Sequence, residues 1–384
     1  MPNETLSQIF NELSAEDLFA VAAVCKQLNC LADCCSVVVQ GLDQRCILLA
    51  TPVQFYAIQH FRLLNTLTYP EFIHAHFDSN GEVASAEMTQ LTRFFREIPP
   101  SIWESQPTPE ASWVKEVRLT FAAPLTAATQ ALLMGINQTP CVTLSLCDYT
   151  TARYTSSRAL VEWSPPAHSL LSLSIRGSAF FLFPYRLWTH QTMASLTSLR
   201  VYNADFSPAD WKRHLFDLAL PHLVDLAIEG KVKLSGFCKF LTNHSSLTSV
   251  RVGSKSSPGS GSGTDQARPW LPHVILLAAP PAYIIGLLDS NNMTSLRKVS
   301  TTLSITEFSI NTTARALLAV AHCGTVEHLG IELQWGCSHG VIRQLAVACA
   351  ILGVALPSVH SMRLEALDHN AKITSVCIVS FEST

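Results

Sequence analysis

Apolar residues at the start of the chain recur at the spacing of an amphipathic helix. Leu6, Ile9, Phe10 and Leu13 fall at i, i+3, i+4 and i+7, so they share one face of a short helix. Asn3 stands where its side-chain oxygen can cap the first turn. The pattern therefore predicts a short helix with one apolar face.

A second helix is predicted from Ser14 onwards. The Ser14 hydroxyl can accept a hydrogen bond from the backbone N–H three residues on, and Glu16 and Asp17 favour a helix N-terminus. Its apolar face continues through Leu18, Val21, Ala22 and Cys25. Because a segment of about 40 residues is usually too small to build its own stable core, we expect both helices to dock on another protein or on the remainder of the chain.

A second hydrophobic pattern, apolar-x-x-apolar-x-apolar, recurs through the remaining sequence at intervals of 22 to 33 residues. Helix-like stretches such as SPADWKRHLFDLAL and NTTARALLAVAHCG lie between its copies. One strand and one helix per copy, stacked in series, predict an α/β solenoid. A compact α/β or mixed domain with evenly spaced parallel strands is the alternative. The copies begin at Val114, Cys141, Leu170, Leu196, Leu223, Leu247, Val274, Leu296, Val326 and Val359.

This layout resembles an irregular leucine-rich-repeat array. The Asn or Cys that such repeats carry three places after the third apolar position is generally missing, and Ala204 and Lys231 stand there in two of the better copies. The copies that start at Val274 and Leu296 are weak, because AA and ST replace their last apolar strand positions.

These patterns divide the chain into three parts. Residues 1–40 form the helical N-terminal segment, residues 41–112 form a helical connector or cap, and residues 113–384 form the repeat domain. The connector contains two helix-like stretches, PVQFYAIQHFRLL and EMTQLTRFFREI. Residues 253–269 lack apolar periodicity and are rich in Gly and Ser, so we expect a flexible loop that leaves one repeat.

The N-terminal segment closely resembles an F-box, whose pattern runs Leu-Pro-x-Glu-Ile/Val-Leu, then Ile-Phe/Leu-x-x-Leu, Asp-Leu and Val-Cys/Ser-Lys/Arg-x-Trp. Three positions depart from it, namely Met1, Thr5 and Leu28. The residues that match, in order and at the family's spacing, are Pro2, Glu4, Leu6, Ile9, Phe10, Leu13, Asp17, Leu18, Val24, Cys25 and Lys26.

The resemblance implies the substrate-recognition subunit of an SCF (Skp–cullin–F-box) ubiquitin ligase. Its F-box would dock on the Skp adaptor and thereby on cullin, while the repeat domain would bind a target protein. Such a subunit is not itself an enzyme and needs no cofactor. Two alternatives stay open: an F-box protein that acts without cullin, and a repeat scaffold capped by the first 35 residues. Residues expected at the adaptor are Pro2, Leu6, Ile9, Phe10, Leu13, Leu18, Val24, Cys25 and Leu28.

The target-binding hypothesis rests on one column of the repeat. Strand side chains alternate, so the residue between the second and third apolar positions points away from the core. Four of these ten residues are arginine, although only 26 of 384 residues are basic. Tyr202 stands beside the column, and Glu116, Glu229, Glu332 and Glu365 flank it. Bidentate hydrogen bonds from the arginines would suit an acidic or phosphorylated peptide. The arginines are Arg118, Arg200, Arg251 and Arg363.

Composition excludes several other classes of function. A net charge of −3 with 14% charged residues gives no general attraction to nucleic acid or to an acidic membrane. We expect a cytoplasmic or nuclear protein, because the sequence has neither a signal-peptide pattern nor an apolar run of about 18 residues.

The twelve cysteines lack CxxC pairs, which predicts that they are reduced thiols. His74 and His76 form an HxH motif, but no further ligands complete a metal site, so we expect the motif in a surface turn. Cys337 and His339 are close in sequence, but no group is evident to orient the imidazole as a base for the thiol, so no catalytic role is assigned to them.

Overall fold

The structure is a computed structural model that divides into two compact units, residues 1–195 and residues 196–384. It describes the following residues: 3–13, 17, 21, 46–52, 54–55, 58, 71–97, 114–139, 141–150, 170–177, 193–204, 206–253, 269–288, 292–303, 310–334, 361–367 and 373–380. Secondary-structure bounds and contacts below refer to these residues.

In the residues that the structure describes, the first unit combines a short N-terminal helix with a parallel sheet and further helices. Each strand pairs in parallel with the next strand along the chain. The elements are α1 (Asn3–Asn11), β1 (Cys46–Leu49), β2 (Phe72–Phe77), α2 (Gly81–Glu97), β3 (Val114–Phe121), α3 (Ala127–Asn137), β4 (Cys141–Asp148) and β5 (Ser172–Arg176).

Local signals explain where the helices of this unit begin. The Asn80 side chain accepts a hydrogen bond from the Glu82 N–H at 3.0 Å and so caps α2. The Thr126 N–H donates to the Thr129 hydroxyl at 3.0 Å, which satisfies a backbone donor at the start of α3. The two helices pack together, and the Thr129 hydroxyl lies 3.3 Å from the Met88 sulfur.

Phenylalanines fill the core at the carboxyl ends of the strands. Phe77 and Phe121 are register partners on β2 and β3, with ring centroids 5.0 Å apart. Phe55 stacks on Phe77 at 5.3 Å, and all three side chains are fully buried. Side chains at alternate strand positions are therefore turned inward, while their neighbours face out.

The second unit repeats the same strand-and-helix order. Its strands pair in parallel with their chain neighbours from the first to the seventh, and the last strand is antiparallel to the one before it. The elements are β6 (Ser198–Ala204), α4 (Pro208–Trp211), which continues as a π-helical turn (Lys212–Phe216), β7 (Asp225–Gly230), α5 (Leu234–Thr242), β8 (Ser249–Val252), β9 (Leu276–Ala278), α6 (Pro281–Leu287), β10 (Lys298–Leu303), α7 (Ile310–Cys323), β11 (His328–Gln334), β12 (Ser361–Leu367) and β13 (Ile373–Ser380).

Aromatic side chains connect successive helices in the core of the second unit. Trp211 stacks on Phe216 at a centroid distance of 5.9 Å, and Phe216 lies 5.6 Å from Phe240. Phe237 in turn meets the ring of Tyr283 edge-on. Each helix thus buries its apolar face against the next repeat, as the solenoid hypothesis requires.

Every copy of the apolar pattern corresponds to a strand, so the predicted α/β strand order is confirmed within each unit. Most strands begin two residues after the first apolar position, as Ser198 follows Leu196. The two weak copies also form strands, although β9 spans only three residues. The inward-facing Leu277 and Val299 are both buried, and so is the polar Thr301 at the next inward position of β10.

The connector at residues 41–112 differs from its helical prediction. Helix α2 includes residues 87–97 of the second predicted helical stretch, and residues 52, 54, 55 and 58 of the first are helical. The segment also contains β1 and β2, which extend the parallel sheet beyond β3. Of the predicted loop at residues 253–269, only the two ends, Gly253 and Pro269, are among the described residues.

Candidate functional site

Helix α1 presents both an exposed and a buried apolar side chain. Ile9 is 43% exposed, whereas Phe10 is only 3% exposed. Leu6 and Leu13 are half-buried. Glu4 lies in the first turn, where the helix dipole favours a negative charge. Since adjacent helical positions differ by about 100° in direction, the chain itself covers one side of the predicted stripe and leaves Ile9 accessible.

The remaining predicted adaptor contacts lie largely outside the described residues. Asp17 and Val21 are helical, in agreement with the second helix expected from Ser14. The predicted contacts at Pro2, Leu18, Val24, Cys25 and Leu28 lie outside the described residues.

The predicted outward column is in register within each unit. In the first unit, Arg118 pairs with Ser145, and Ser145 pairs with Ser174. In the second unit, the same column runs through consecutive strands as Arg200, Ala227, Arg251, Ala278, Ser300, Gly330 and Arg363. Parallel pairing therefore places Arg200 and Arg251 two strands apart, about 10 Å between Cα atoms.

In the first unit, the column cation is paired with an acid on its own strand. Arg118 Nη2 donates to Glu116 Oε1 at 2.8 Å. His74 is the register partner of Arg118 on β2, and its Nε2 lies 3.7 Å from the same Glu116 oxygen. Burial and the charge of Arg118 lower the pKa of His74, and Glu116 opposes them. The flanking acid expected to neutralise Arg118 does so.

The HxH motif lies on strand β2 and not in the surface turn that we expected. His74 and His76 occupy alternate positions of FIHAHF, whose apolar residues Ile73, Ala75 and Phe77 face the core. The period-two alternation explains the strand. The part of the chain that the structure describes contains no group of three or more His, Cys, Asp or Glu side chains able to hold a metal ion.

In the second unit, Arg200 is engaged by Asp225, which the sequence did not identify. Asp225 lies on the neighbouring strand, where it is the register partner of Ser198. Arg200 Nη2 donates to Asp225 Oδ2 at 3.1 Å and Arg200 Nε donates to the same oxygen at 3.3 Å. The Ser198 hydroxyl adds a hydrogen bond at 3.1 Å. Two of the hydrogen-bond donor atoms of the Arg200 guanidinium are therefore already engaged within the protein.

This network has a pH-dependent consequence. Burial raises the pKa of the Asp225 carboxyl, but the Ser249, Arg200 and Ser198 side chains favour the charged form, so the net pKa is lowered. A lowered folded-state pKa contributes stability above the ordinary Asp pKa, which is lost as pH falls through the folded-state value.

Replacing Asp225 with asparagine should therefore lower stability by about 1 kcal/mol or less at pH 7, as expected for a partly exposed ion pair. The difference between the two proteins should shrink below about pH 4. Urea unfolding midpoints at pH 7 and pH 3.5 test this, with exposed Asp217→Asn as the control. An Asp225→Asn penalty equal at both pH values would contradict the assignment.

Arg251 and Lys298 are the exposed cations on this face for which the described residues supply no ion-pair partner. Arg251 lies in the predicted column, while Lys298 stands one outward position earlier on β10 and was not predicted. Tyr202, predicted beside the column, is half-buried on β6. Arg363 is in register on β12.

Five cysteines in the described strands and helices form no disulfide. They are Cys46, Cys141, Cys147, Cys238 and Cys323. Burial raises the pKa of the Cys141 thiol to about 12, which disfavours the nucleophilic thiolate. Cys337 and His339 lie outside the described residues. Among the helices that are described, none is long and apolar enough to span a bilayer.

A short helix with an exposed isoleucine therefore precedes the strand-and-helix units in the sequence. Residues 1–37 match a family model described as F-box-like. The match confirms the F-box resemblance of the N-terminal segment, which supports an F-box protein. A search of curated proteins finds no match for the chain.

Proposed function

We propose that this protein is the substrate-recognition subunit of an SCF-type ubiquitin ligase. The observation that carries the proposal is the F-box-like domain at residues 1–37, since F-box domains generally bind a Skp adaptor. Cullin is then reached through the adaptor, and the degenerate leucine-rich repeats bind a target protein. The chain acts in the cytoplasm or nucleus and contributes no catalytic side chain, because holding the target near a charged conjugating enzyme raises its effective concentration.

Two neighbouring residues of α1 differ in burial, and we expect them to contribute differently to folding and to adaptor binding. Phe10 is buried within the chain, so replacing it would disturb folding and adaptor binding together. Ile9 is the exposed large apolar side chain of this helix, and burial of a complete isoleucine is worth about 1.5–3 kcal/mol. Ile9 is therefore the position at which binding can be changed with the least effect on folding.

Replacing Ile9 with aspartate is expected to weaken binding to the purified Skp adaptor at least tenfold, about 1.4 kcal/mol. The change removes apolar contact area and places a charge where the partner is apolar. Gln8→Asp introduces the same charge at the preceding exposed position and should bind within twofold of the parent. Calorimetric titration measures both variants, and circular dichroism checks that they are folded. Equal affinities for the parent and Ile9→Asp would remove this face from the adaptor interface.

A second candidate function is a repeat scaffold that acts without cullin, with the N-terminal helix as its cap. Burial of Phe10 and the membership of α1 in the first compact unit favour it. Co-elution of the chain with adaptor and cullin from a sizing column distinguishes this scaffold from the ligase subunit and from an F-box protein that acts without cullin. A complex of all three supports the ligase subunit, and adaptor without cullin supports the cullin-independent role. Failure of a folded chain to bind the adaptor supports the capped scaffold.

A further inference from the structure

We propose that the exposed face of the second unit binds an extended acidic peptide through Arg251 and Lys298. The identification of that peptide as part of a ubiquitin-ligase target rests on the function proposed above, whereas the binding surface does not. The surface, here called the Arg251–Lys298 face, consists of Arg251, Leu276, Ala278, Lys298 and Ser300. All five residues lie on the adjacent strands β8, β9 and β10.

The register of the three strands fixes the positions of the two cations. Arg251 pairs with Ala278, and Ala278 pairs with Ser300. Lys298 stands two residues before Ser300 on β10, so it faces the same side of the sheet. Two strand spacings sideways and one two-residue step along the strand separate the Cα atoms of Arg251 and Lys298 by about 12 Å.

Both charges are available to a ligand. The Arg251 and Lys298 side chains are exposed, and neither makes an ion pair with a residue that the structure describes. Arg200 differs, because Asp225 already accepts from its Nε and Nη2 atoms. The two exposed cations that can face an incoming anion are therefore Arg251 and Lys298.

The surface between Arg251 and Lys298, here called the floor, is formed by small or apolar side chains. Leu276 and Ala278 are half-buried on β9 and point to the same side as the two cations. Gly330 continues the floor on β11, and a Cβ atom there would lie 3.1 Å from the Ser300 hydroxyl oxygen. A peptide backbone with small or apolar side chains can lie on such a floor, with anionic groups reaching the cations at its edge.

Charge complementarity selects a peptide over a nucleic acid. Glu229 and Glu332 lie on the outward positions one step further along the strands, where they would repel a continuous phosphate backbone. The chain as a whole has a net charge of −3. A ligand with two separated anionic groups meets the cations and avoids the acids. An extended peptide advances about 3.3 Å per residue, so a 12 Å spacing corresponds to anionic residues three to four positions apart.

Acidic and phosphorylated peptides would bind this face by the same chemistry. In both, a carboxylate or phosphate oxygen accepts hydrogen bonds from the Arg251 guanidinium and the Lys298 ammonium group. Arg251 can hold either group with two parallel hydrogen bonds, and Lys298 acts as a point charge. Fluorescein-labelled nonapeptides of alanine, valine and threonine provide the probes. They carry two aspartates one to five positions apart, or two phosphoserines or two asparagines at the same positions.

Anisotropy titrations of the purified full chain should show at least tenfold tighter binding of the aspartate peptides than of their asparagine counterparts. The preferred spacing should be three or four positions. Phosphoserine peptides that bind more tightly than aspartate peptides would identify phosphate as the source, and equal or weaker binding would identify carboxylate. Binding that ignores spacing and charge would overturn the proposal.

Variants assign the binding to the Arg251–Lys298 face. The double variant Arg251→Gln/Lys298→Gln should lose at least tenfold in affinity for the aspartate peptide. Lys212→Gln/Lys239→Gln removes the same charge from exposed helical positions of the same unit and should stay within twofold. Urea midpoints verify that both variants fold. Unchanged affinity of the first variant would overturn the proposal, as would a twelve-nucleotide oligothymidine that binds more tightly than every peptide.

Adaptor titrations on the same variants separate this proposal from the ligase function. Loss of peptide binding with intact adaptor binding in Arg251→Gln/Lys298→Gln supports the face as the peptide site. A parent chain that binds the acidic peptide but not the adaptor keeps the face and overturns the ligase function. A parent chain that binds the adaptor but none of the acidic peptides overturns the face and leaves the ligase function in place.

Discussion

Replacing Gly230 with alanine is expected to destabilise the protein by about 3 kcal/mol, at the upper end of the usual cost of overpacking. Gly230 ends strand β7 and is the register partner of Ala204 on β6. A Cβ atom at this position would lie 2.5 Å from the Ala204 carbonyl oxygen and 2.8 Å from Trp211 Cζ2. Both distances are far below van der Waals contact, so the neighbours must move.

Neither neighbour can move cheaply. The Ala204 oxygen belongs to the backbone of a paired strand, and Trp211 is fully buried between Phe206 and Phe216. Displacing the indole would disturb the aromatic contacts that join α4 to the next repeats. The cost therefore spreads through the core of the second unit, because protein interiors are close-packed.

Gly135→Ala is the matched control for this substitution. A Cβ atom at Gly135 would meet Phe95 and Thr92 at 3.6 Å or more, which is ordinary contact. Gly135 lies inside α3, where alanine is favoured over glycine by about 1 kcal/mol. Urea unfolding should show opposite signs for the two variants. A Gly230→Ala change of less than 1 kcal/mol, or the same sign for both, would contradict the close-approach argument.

The outward column could be predicted because two regularities determine it. Apolar alternation decides which side chains enter the core, and a constant repeat brings equivalent positions into register. Arg251 therefore lies where its place in the sequence predicts, opposite Ala227 and Ala278. The first two strands were missed because the first apolar position of the pattern is absent there: Gln44 and Pro70 stand three residues before the buried Ile47 and Ile73.

Charge pairing across strands could not be predicted in the same way. Asp225 is inconspicuous in the sequence, and its role depends on the rotamer that carries the Arg200 guanidinium across one strand spacing. Likewise, periodicity assigns Ile9 and Phe10 to one stripe, but only packing decides that Phe10 is covered and Ile9 is not. The apolar pattern predicts whether a side chain faces the core or the solvent, whereas its ion-pair and packing partners depend on which residues lie beside it in the folded protein.

Replacing His244 with alanine is expected to cost about 2–4 kcal/mol, because it leaves a buried donor unsatisfied and opens a cavity. His244 is buried and links two successive repeats. Its Nε2 accepts a hydrogen bond from the Leu220 N–H at 3.0 Å. Its Nδ1 must then carry the proton, which it donates to the Phe240 carbonyl at 2.7 Å.

This arrangement requires the neutral imidazole, so stability should depend on pH. Burial lowers the pKa of His244, although the hydrogen bond to Phe240 opposes the shift. The unfolded chain binds the proton more tightly, so the contribution of His244 is complete above its ordinary pKa of about 6.5 and falls as pH drops below that value. The stability difference between the parent and His244→Ala should therefore shrink from pH 7.5 to pH 5.5.

Urea midpoints of the parent and His244→Ala at both pH values measure this difference in stability. Because the other histidines are present in both proteins, their pH-dependent contributions cancel. His222→Ala, at an exposed position just before β7, serves as the control and should change stability by less than about 0.5 kcal/mol. A penalty for His244→Ala that stays constant between the two pH values would show that the imidazole does not act as a neutral bridge. A penalty no larger than that of His222→Ala would show that the link between the two repeats contributes nothing to stability.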